Sequence, residues 1–425
     1  MLMQPLIRHG EPSMNSRTRV NTMIKIILTG ALIISASSFA ASPKGEYVAR
    51  ISDCVACHTK EGGDVMAGGK RFHTPLGDIF STNITPDVKE GIGLYSYADF
   101  EKAVRKGVAR DGHYLYPAMP YPSYAKMNDE DMHALYTYFK QDVKASAQKN
   151  SPGEIPWLLS PRWPLGIWNW MFTDSNEEVK IPAGVDDGVI QRGKYLVEGP
   201  GHCGACHTPR GIGMQEKSYD SSDATFLSGA MIDGWYAPSL RNGTIPAEEI
   251  KDLLKMGRSK HSAISGPMSD VVTQSTQYLN NNDLNAISSY LVSLSDKKPA
   301  SHTHAAATQT RGAIAAGSSG QTLYLRYCST CHGTTGQGTD DNVPSLVNNP
   351  SVSAEDPDNL IKVIAFGAET PVTQGNIPYK MPAYHGLLQP QQMRDIVNYV
   401  RGEWGNSPHP VDEDQIKDVL NADKQ

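Results

Sequence analysis

Six cysteines occur in the 425-residue chain, and all six fall into three copies of one pattern. The copies are Cys54-Val55-Ala56-Cys57-His58, Cys203-Gly204-Ala205-Cys206-His207 and Cys328-Ser329-Thr330-Cys331-His332. Cys-x-x-Cys-His is the attachment sequence for c-type haem. Two thiols offset by about one helical turn reach the two vinyl groups of one porphyrin and form thioethers, and the adjacent imidazole lies under the iron as proximal ligand. A lone Cys-x-x-Cys reads as zinc or redox chemistry. Zinc would require a second Cys/His pair near each copy, and none is present. The pattern predicts three covalent haem c groups, with Cys54, Cys57, Cys203, Cys206, Cys328 and Cys331 as attachment points. His58, His207 and His332 are the proximal iron ligands.

A distal ligand for each iron is sought downstream. Pro117-Ala118-Met119-Pro120, Gly266-Pro267-Met268 and Lys380-Met381-Pro382 place one Met in a Pro- or Gly-rich setting in each repeat. The separations from the motif His are 61 residues (58 to 119), 61 (207 to 268) and 49 (332 to 381). A thioether is a soft ligand that suits low-spin iron, and His/Met ligation raises the potential. Met119, Met268 and Met381 are therefore the expected distal ligands. Met127, Met256 and Met393 sit on or beside helices and read as core. His113, His261 and His385 are the bis-His alternatives. No residue is assigned a substrate-oxidising role, because six-coordinate iron has no open position.

The elements that must hold these groups repeat as well. A first helix precedes each motif, around Gly45-Glu46-Tyr47, Gly193-Lys194-Tyr195 and Gly320 to Tyr324. A closing amphipathic helix follows each Met. Met132, Leu135, Tyr136 and Phe139 make the first stripe, Leu284, Ile287, Leu291 and Leu294 the second, and Met393, Ile396, Val397 and Val400 the third. Asn128 and Asp131 suggest a cap on the first closing helix. Asn83 and Thr85-Pro86 are turn chemistry. Tyr116, Tyr121 and Tyr124 surround Met119 and read as packing, and Arg241 is a candidate partner for a haem propionate.

The order helix, haem motif, irregular loop, Met and closing helix resembles the class I cytochrome c fold three times over, which implies a mainly α chain of three tandem domains of that kind. The expected divisions are a signal peptide at 1–40, domains at 41–150, 185–298 and 320–406, linkers at 151–184 and 299–319, and a polar tail at 407–425. Met23-Ile24-Lys25, the apolar run from Ile26 to Ile34 and the small residues up to Ala40 form the secretory signal, with Met23 as an alternative start. The first linker is rich in Pro and Trp with little helical period, and is expected to pack across domain faces or to meet a partner or membrane surface. The second is rich in Ala, Ser, His, Thr and Gly and reads as a tether. Net charge is −6; residues 1–40 carry +3, leaving −9 on the rest, and no basic stripe marks a nucleic-acid surface.

Three stretches extend the pattern to a family. Ser81-Thr82-Asn83-Ile84-Thr85-Pro86-Asp87, the run from Leu115 to Tyr124, and Ser275-Thr276-Gln277-Tyr278-Leu279, together with the three haem motifs, resemble the tri-haem cytochrome c subunit of bacterial membrane-associated dehydrogenases. That family serves gluconate 2-dehydrogenase, sorbitol and fructose dehydrogenases, the quinoprotein alcohol dehydrogenase, and aldehyde or nicotinate dehydrogenases. The resemblance implies a periplasmic electron relay. Electrons would pass from a flavoprotein (or other cofactor-bearing) dehydrogenase subunit, with gluconate 2-dehydrogenase as the leading expectation, to ubiquinone or a terminal oxidase. It also implies peripheral association with the inner membrane, although the acidic tail lacks the amphipathic segment that some relatives carry. The alternatives are a free-standing shuttle and a haem enzyme such as a peroxidase with five-coordinate iron.

Overall fold

The computed structural model describes residues 43–158, 160–173, 188–241, 243, 245–295, 317–339, 342–406 and 409–422. The signal peptide expected at 1–40 and most of the tether expected at 299–319 lie outside them. The described chain is mainly helical, with three small two-stranded ribbons. Its buried apolar side chains gather into three clusters, one around each cysteine motif.

The first repeat runs through α1 (Pro43–Ile51), α2 (Cys54–His58), the ribbon of β1 (Arg71–Phe72) and β2 (Ile79–Phe80), α3 (Tyr97–Lys106), α4 (Tyr121–Tyr124) and α5 (Asp129–Gln141), whose helices supply most of the first cluster. A linking helix, α6 (Pro164–Phe172), follows. The second cluster uses α7 (Gly188–Glu198), α8 (Gly204–His207), the ribbon of β3 (Ala230–Ile232) and β4 (Trp235–Ala237), α9 (Ala247–Met256), α10 (Met268–Gln274) and α11 (Asn281–Ser293). The third uses α12 (Ser319–Tyr327), α13 (Ser329–His332), α14 (Asp358–Phe366), the ribbon of β5 (Ala368–Glu369) and β6 (Lys380–Met381), α15 (Pro390–Gly402) and α16 (Glu413–Ala422).

The same local rules recur in all three. The middle helices α3, α9 and α14 each stop at a glycine with positive φ: Gly107 at 61°, Gly257 at 74° and Gly367 at 78°. The closing helices start on a capped residue. Asn128 accepts from the Asp131 amide, Asn280 from the Asp283 amide, and Gln389 forms a capping box with Gln392. Each first helix crosses its closing helix at a glycine. A β-carbon on Gly45 would stand 2.6 Å from Tyr138 Cβ, on Gly193 2.6 Å from Tyr290 Cβ, and on Gly320 2.9 Å from Tyr399 Cβ. Backbone carbonyls of Ala134, Ala286 and Asp395 lie nearer still, so only glycine lets the helix pair close. The repeat therefore aligns Tyr47 and Tyr195 with Thr322, whereas Tyr324 is a fully buried core residue against Tyr399 and Trp404.

Two segments differ from their expected character. The Pro/Trp-rich linker contains α6, nine residues without a charge, started by Pro164 in its first turn. Apolar residues stand at nearly every position of the helix, so no amphipathic period shows. Its inner side is fixed by Trp168, whose indole N–H donates to Gly213 O at 2.7 Å, and by Asn169, which accepts from the Tyr121 hydroxyl at 2.6 Å. Arg162, just before it, stacks 3.7 Å from the Tyr116 ring centroid. Its outer side leaves Trp163, Ile167, Trp170 and Met171 exposed. Residues 407–425, expected as a polar tail, hold α16. Ile416, Val419 and Leu420 are buried on the third cluster, and acidic residues occupy the remaining faces and hide that stripe in the sequence. No described helix is long and apolar enough to cross a membrane.

Candidate haem-binding sites

Each cysteine motif forms a single helical turn, which sets its two sulfurs and imidazole on one side at i, i+3 and i+4. None of the six cysteines is paired in a disulfide. Burial pushes the Cys57 and Cys203 thiols up to about 12 and those of Cys206 and Cys328 to about 11, with Cys54 raised further. A redox or nucleophilic Cys-x-x-Cys depends on the opposite shift, which yields thiolate at neutral pH. The donor set, two thiols and one imidazole per turn, fits covalent attachment of haem c. Among the described residues no cage of three or more His, Cys, Asp or Glu side chains forms.

The three imidazoles are oriented in one way. His58 Nδ1 meets Thr82 O at 2.7 Å and His207 Nδ1 meets Pro238 O at 2.8 Å. His332 Nδ1 is buried without a well-formed hydrogen bond, and the Pro344 carbonyl, which acts on its protonation, takes the corresponding place. A carbonyl at Nδ1 selects the tautomer protonated there and leaves Nε2 as the free lone pair, the arrangement of a metal-ligating His. Burial lowers the ring pKa of all three, and the carbonyl opposes that shift. The neutral, ligating form is thus the favoured one.

The carbonyls are delivered by equivalent loops. The amide two residues after each carbonyl donates back into the turn behind the motif: Ile84 to Met66 O, Leu240 to Leu227 O and Leu346 to Gly336 O, at 2.9, 2.9 and 2.7 Å. Met66, Leu227 and Gly336 share the left-handed conformation, with φ of 64°, 56° and 72°. The amides of Gly68, Gly229 and Gly338 cap the motif through the carbonyls of His58, His207 and His332. Asn83, Ser239 and Ser345 each accept from the amide two residues on. Asn83 is further committed to Ser146 O and Gln148 O, so its role is to hold the loop.

The methionines fall in less uniform settings. Met119 lies on the irregular stretch before α4, held by its amide to Tyr116 O, and packs on the first cluster together with Cys54. Met381 ends β6 and packs on the third cluster together with Cys328. Met268 opens α10, a helix that packs toward α2 of the first repeat. Met127 and Met393 are fully buried core residues. His113 is tied to Asp111 and His261 to Glu249. Arg241 donates to Phe226 O.

Sequence reasoning missed a reciprocal contact between the first two repeats. The Tyr47 hydroxyl donates to Asp283 Oδ2 at 2.7 Å and accepts from the Asn280 amide at 3.1 Å. The Tyr195 hydroxyl donates to Asp131 Oδ2 at 2.6 Å and accepts from the Asn128 amide at 3.3 Å. Each repeat thus caps the other's closing helix. Arg192 adds a bidentate pair on Asp283 at 2.8 and 2.9 Å, and Lys44 meets Asp131 at 3.1 Å. The signal was the shared Gly-x-Tyr and Asn-x-x-Asp pairs of repeats one and two, both absent from repeat three. The contact brings the two motifs together: the Tyr124 hydroxyl reaches Ser52 O at 2.6 Å, and its ring sits edge-on to His202, 5.5 Å away.

Comparison with known proteins gives the same direction. The cytochrome c family model matches residues 318–404. The cytochrome c subunit of a quinone alcohol dehydrogenase from Gluconacetobacter polyoxogenes is 48% identical over 376 residues, 85% of this chain and 80% of its own. The gluconate 2-dehydrogenase cytochrome c subunit of Pantoea cypripedii is 45% identical, covering 90% of this chain and 92% of its own. The fructose dehydrogenase cytochrome subunit of Gluconobacter japonicus is 34% identical, covering 90% and 83%.

Proposed function

Because the chain belongs to the family of dehydrogenase cytochrome c subunits, we propose that it is the tri-haem electron-transfer subunit of such a complex. Family membership supports covalently bound haem c as cofactor. Our reading assigns one group to each of the three motifs, in three cytochrome c-like domains. His58, His207 and His332 are the proximal ligands, and Met119, Met268 and Met381 the distal ones. The observation that carries this is the threefold recurrence of one scaffold: a turn bearing two thiols and an imidazole whose Nδ1 faces a loop carbonyl.

The bound group supplies reversible one-electron iron chemistry. The chain supplies fixed ligands, so little must move when an electron arrives. The donor in this reading is the flavoprotein subunit of a gluconate 2-dehydrogenase or a related sugar or alcohol dehydrogenase. End-to-end coverage of the gluconate 2-dehydrogenase relative, 92% of its length against 80% for the alcohol dehydrogenase relative, favours the former. The acceptor is ubiquinone or the respiratory chain. The secretory signal expected at the N-terminus supports a periplasmic location in this reading. The exposed Trp157, Trp163 and Trp170 support peripheral contact with a membrane surface.

Purification of the chain from its own membranes, with its partners, tests the proposal. Three haems per chain by pyridine haemochrome are expected, all low-spin, and rapidly reduced when gluconate is added to the complex. Absence of a dehydrogenase partner would favour the free shuttle. High-spin haem that binds carbon monoxide would favour a haem enzyme.

A further inference from the structure

The turn that carries Cys203, Cys206 and His207 rests on a buried acid. Glu216 is 5% exposed, and its Oε2 makes no hydrogen bond. That oxygen lies 2.5 Å from where a β-carbon on Gly204 would stand, with the Phe226 ring 3.0 Å from the same point. Gly204 is the first of the two residues between the cysteines, and the space where its side chain would stand is the space the carboxyl fills. An ordinary structural carboxylate at such depth is paired or fully hydrogen-bonded. The cations that act on this one are Arg210 and Lys126. The Arg210 guanidinium is spent on the carbonyls of Ala205 and Met214, and Lys126 sits 3.6 Å from Glu198. The remaining titratable neighbours are Tyr219, Cys203 and Cys206.

We propose that Glu216 is a proton-binding site coupled to electron occupancy at the second motif. It rests on the haem reading of residues 203–207. When one electron arrives from the donor, the Glu216 carboxylate takes up one proton from solvent and becomes the acid; when the electron leaves, the proton returns. The added negative charge is neutralised within the same packed cluster, which low-dielectric surroundings make favourable. Burial already raises the acid to about 7, against the opposing pull of Arg210 and Lys126, so the carboxyl titrates in the working range. An electron beside it moves that value upward, and the potential falls with rising pH between the two values.

The test is a spectroelectrochemical titration of the three-haem chain from pH 5.5 to 8.5, for wild type, Glu216→Gln and Glu216→Asp. One of the potentials of the wild type is expected to fall with pH, by at most about 59 mV per unit, the one-electron value of a tenfold change. Glu216→Gln should flatten that slope and match the wild-type value at low pH while exceeding it at high pH. Glu216→Asp should keep a slope. An unchanged slope in Glu216→Gln with three haems retained would overturn the proton site alone. Fewer than three covalent haems in the wild type would instead overturn the haem reading. If Glu216→Gln fails to fold, indicator-dye measurement on the wild type decides: no proton uptake on reduction at pH 7 refutes the coupling.

Discussion

Replacing Tyr195 by Phe removes one hydroxyl from the seam between the first and second repeats. That hydroxyl donates to Asp131 Oδ2 at 2.6 Å and accepts from the Asn128 amide at 3.3 Å. Asp131 is 7% exposed, so its carboxylate loses a partner that water cannot fully replace. A hydrogen bond to a charged acceptor contributes about 1.5–3 kcal/mol. Lys44 at 3.1 Å and the cap from Asn128 still hold the carboxylate, which places the loss at the low end, about 1.5 kcal/mol. That is roughly a tenfold change in the unfolding equilibrium. The assay is denaturant unfolding followed by the Soret band, with Tyr47→Phe as the symmetric variant. Tyr47→Phe should cost less, since Asp283 keeps its two bonds from Arg192. An unfolding midpoint unchanged in Tyr195→Phe, or a larger loss in Tyr47→Phe, would refute the idea that these tyrosines hold the seam.

Gly193→Ala forces a β-carbon against the Tyr290 Cβ and the Ala286 backbone. Overpacking of about 1–3 kcal/mol exceeds the roughly 1 kcal/mol gained in helix propensity, so calorimetry should show a lower melting temperature. Met119→Leu is expected to lower one of the three potentials and to open that iron to carbon monoxide, read by redox titration and difference spectra. The Arg192 guanidinium and the Tyr47 hydroxyl hold Asp283 below the usual 3.8 despite its burial. A depressed folded pKa stabilises above the unfolded value and is lost as pH falls through the folded one. Asp283→Asn should therefore be less stable than wild type at pH 7, and the gap should narrow below about pH 4 in acid-unfolding curves.

What depends on neighbours along one helical turn could be read directly from the chain. Spacing of i, i+3 and i+4 brings two thiols and an imidazole to one side wherever the turn forms, so the three motifs were legible as residues. The closing helices were equally legible, because an apolar stripe such as Met393, Ile396, Val397 and Val400 has only one way to be buried. The cap at Asn128 acts over three residues and shares that property. Nothing local marked α6 or α16: the first is apolar on nearly every side and shows no period, and the stripe of the second is submerged among acids. The folded chain alone shows which carbonyl faces each imidazole, since Thr82, Pro238 and Pro344 arrive through loops of different length. It alone joined Tyr47 to Asp283, 236 residues away, and set Glu216 into the space left by Gly204. Such contacts follow from how cores close on one another, and no periodicity along the chain encodes the distance at which two buried groups meet.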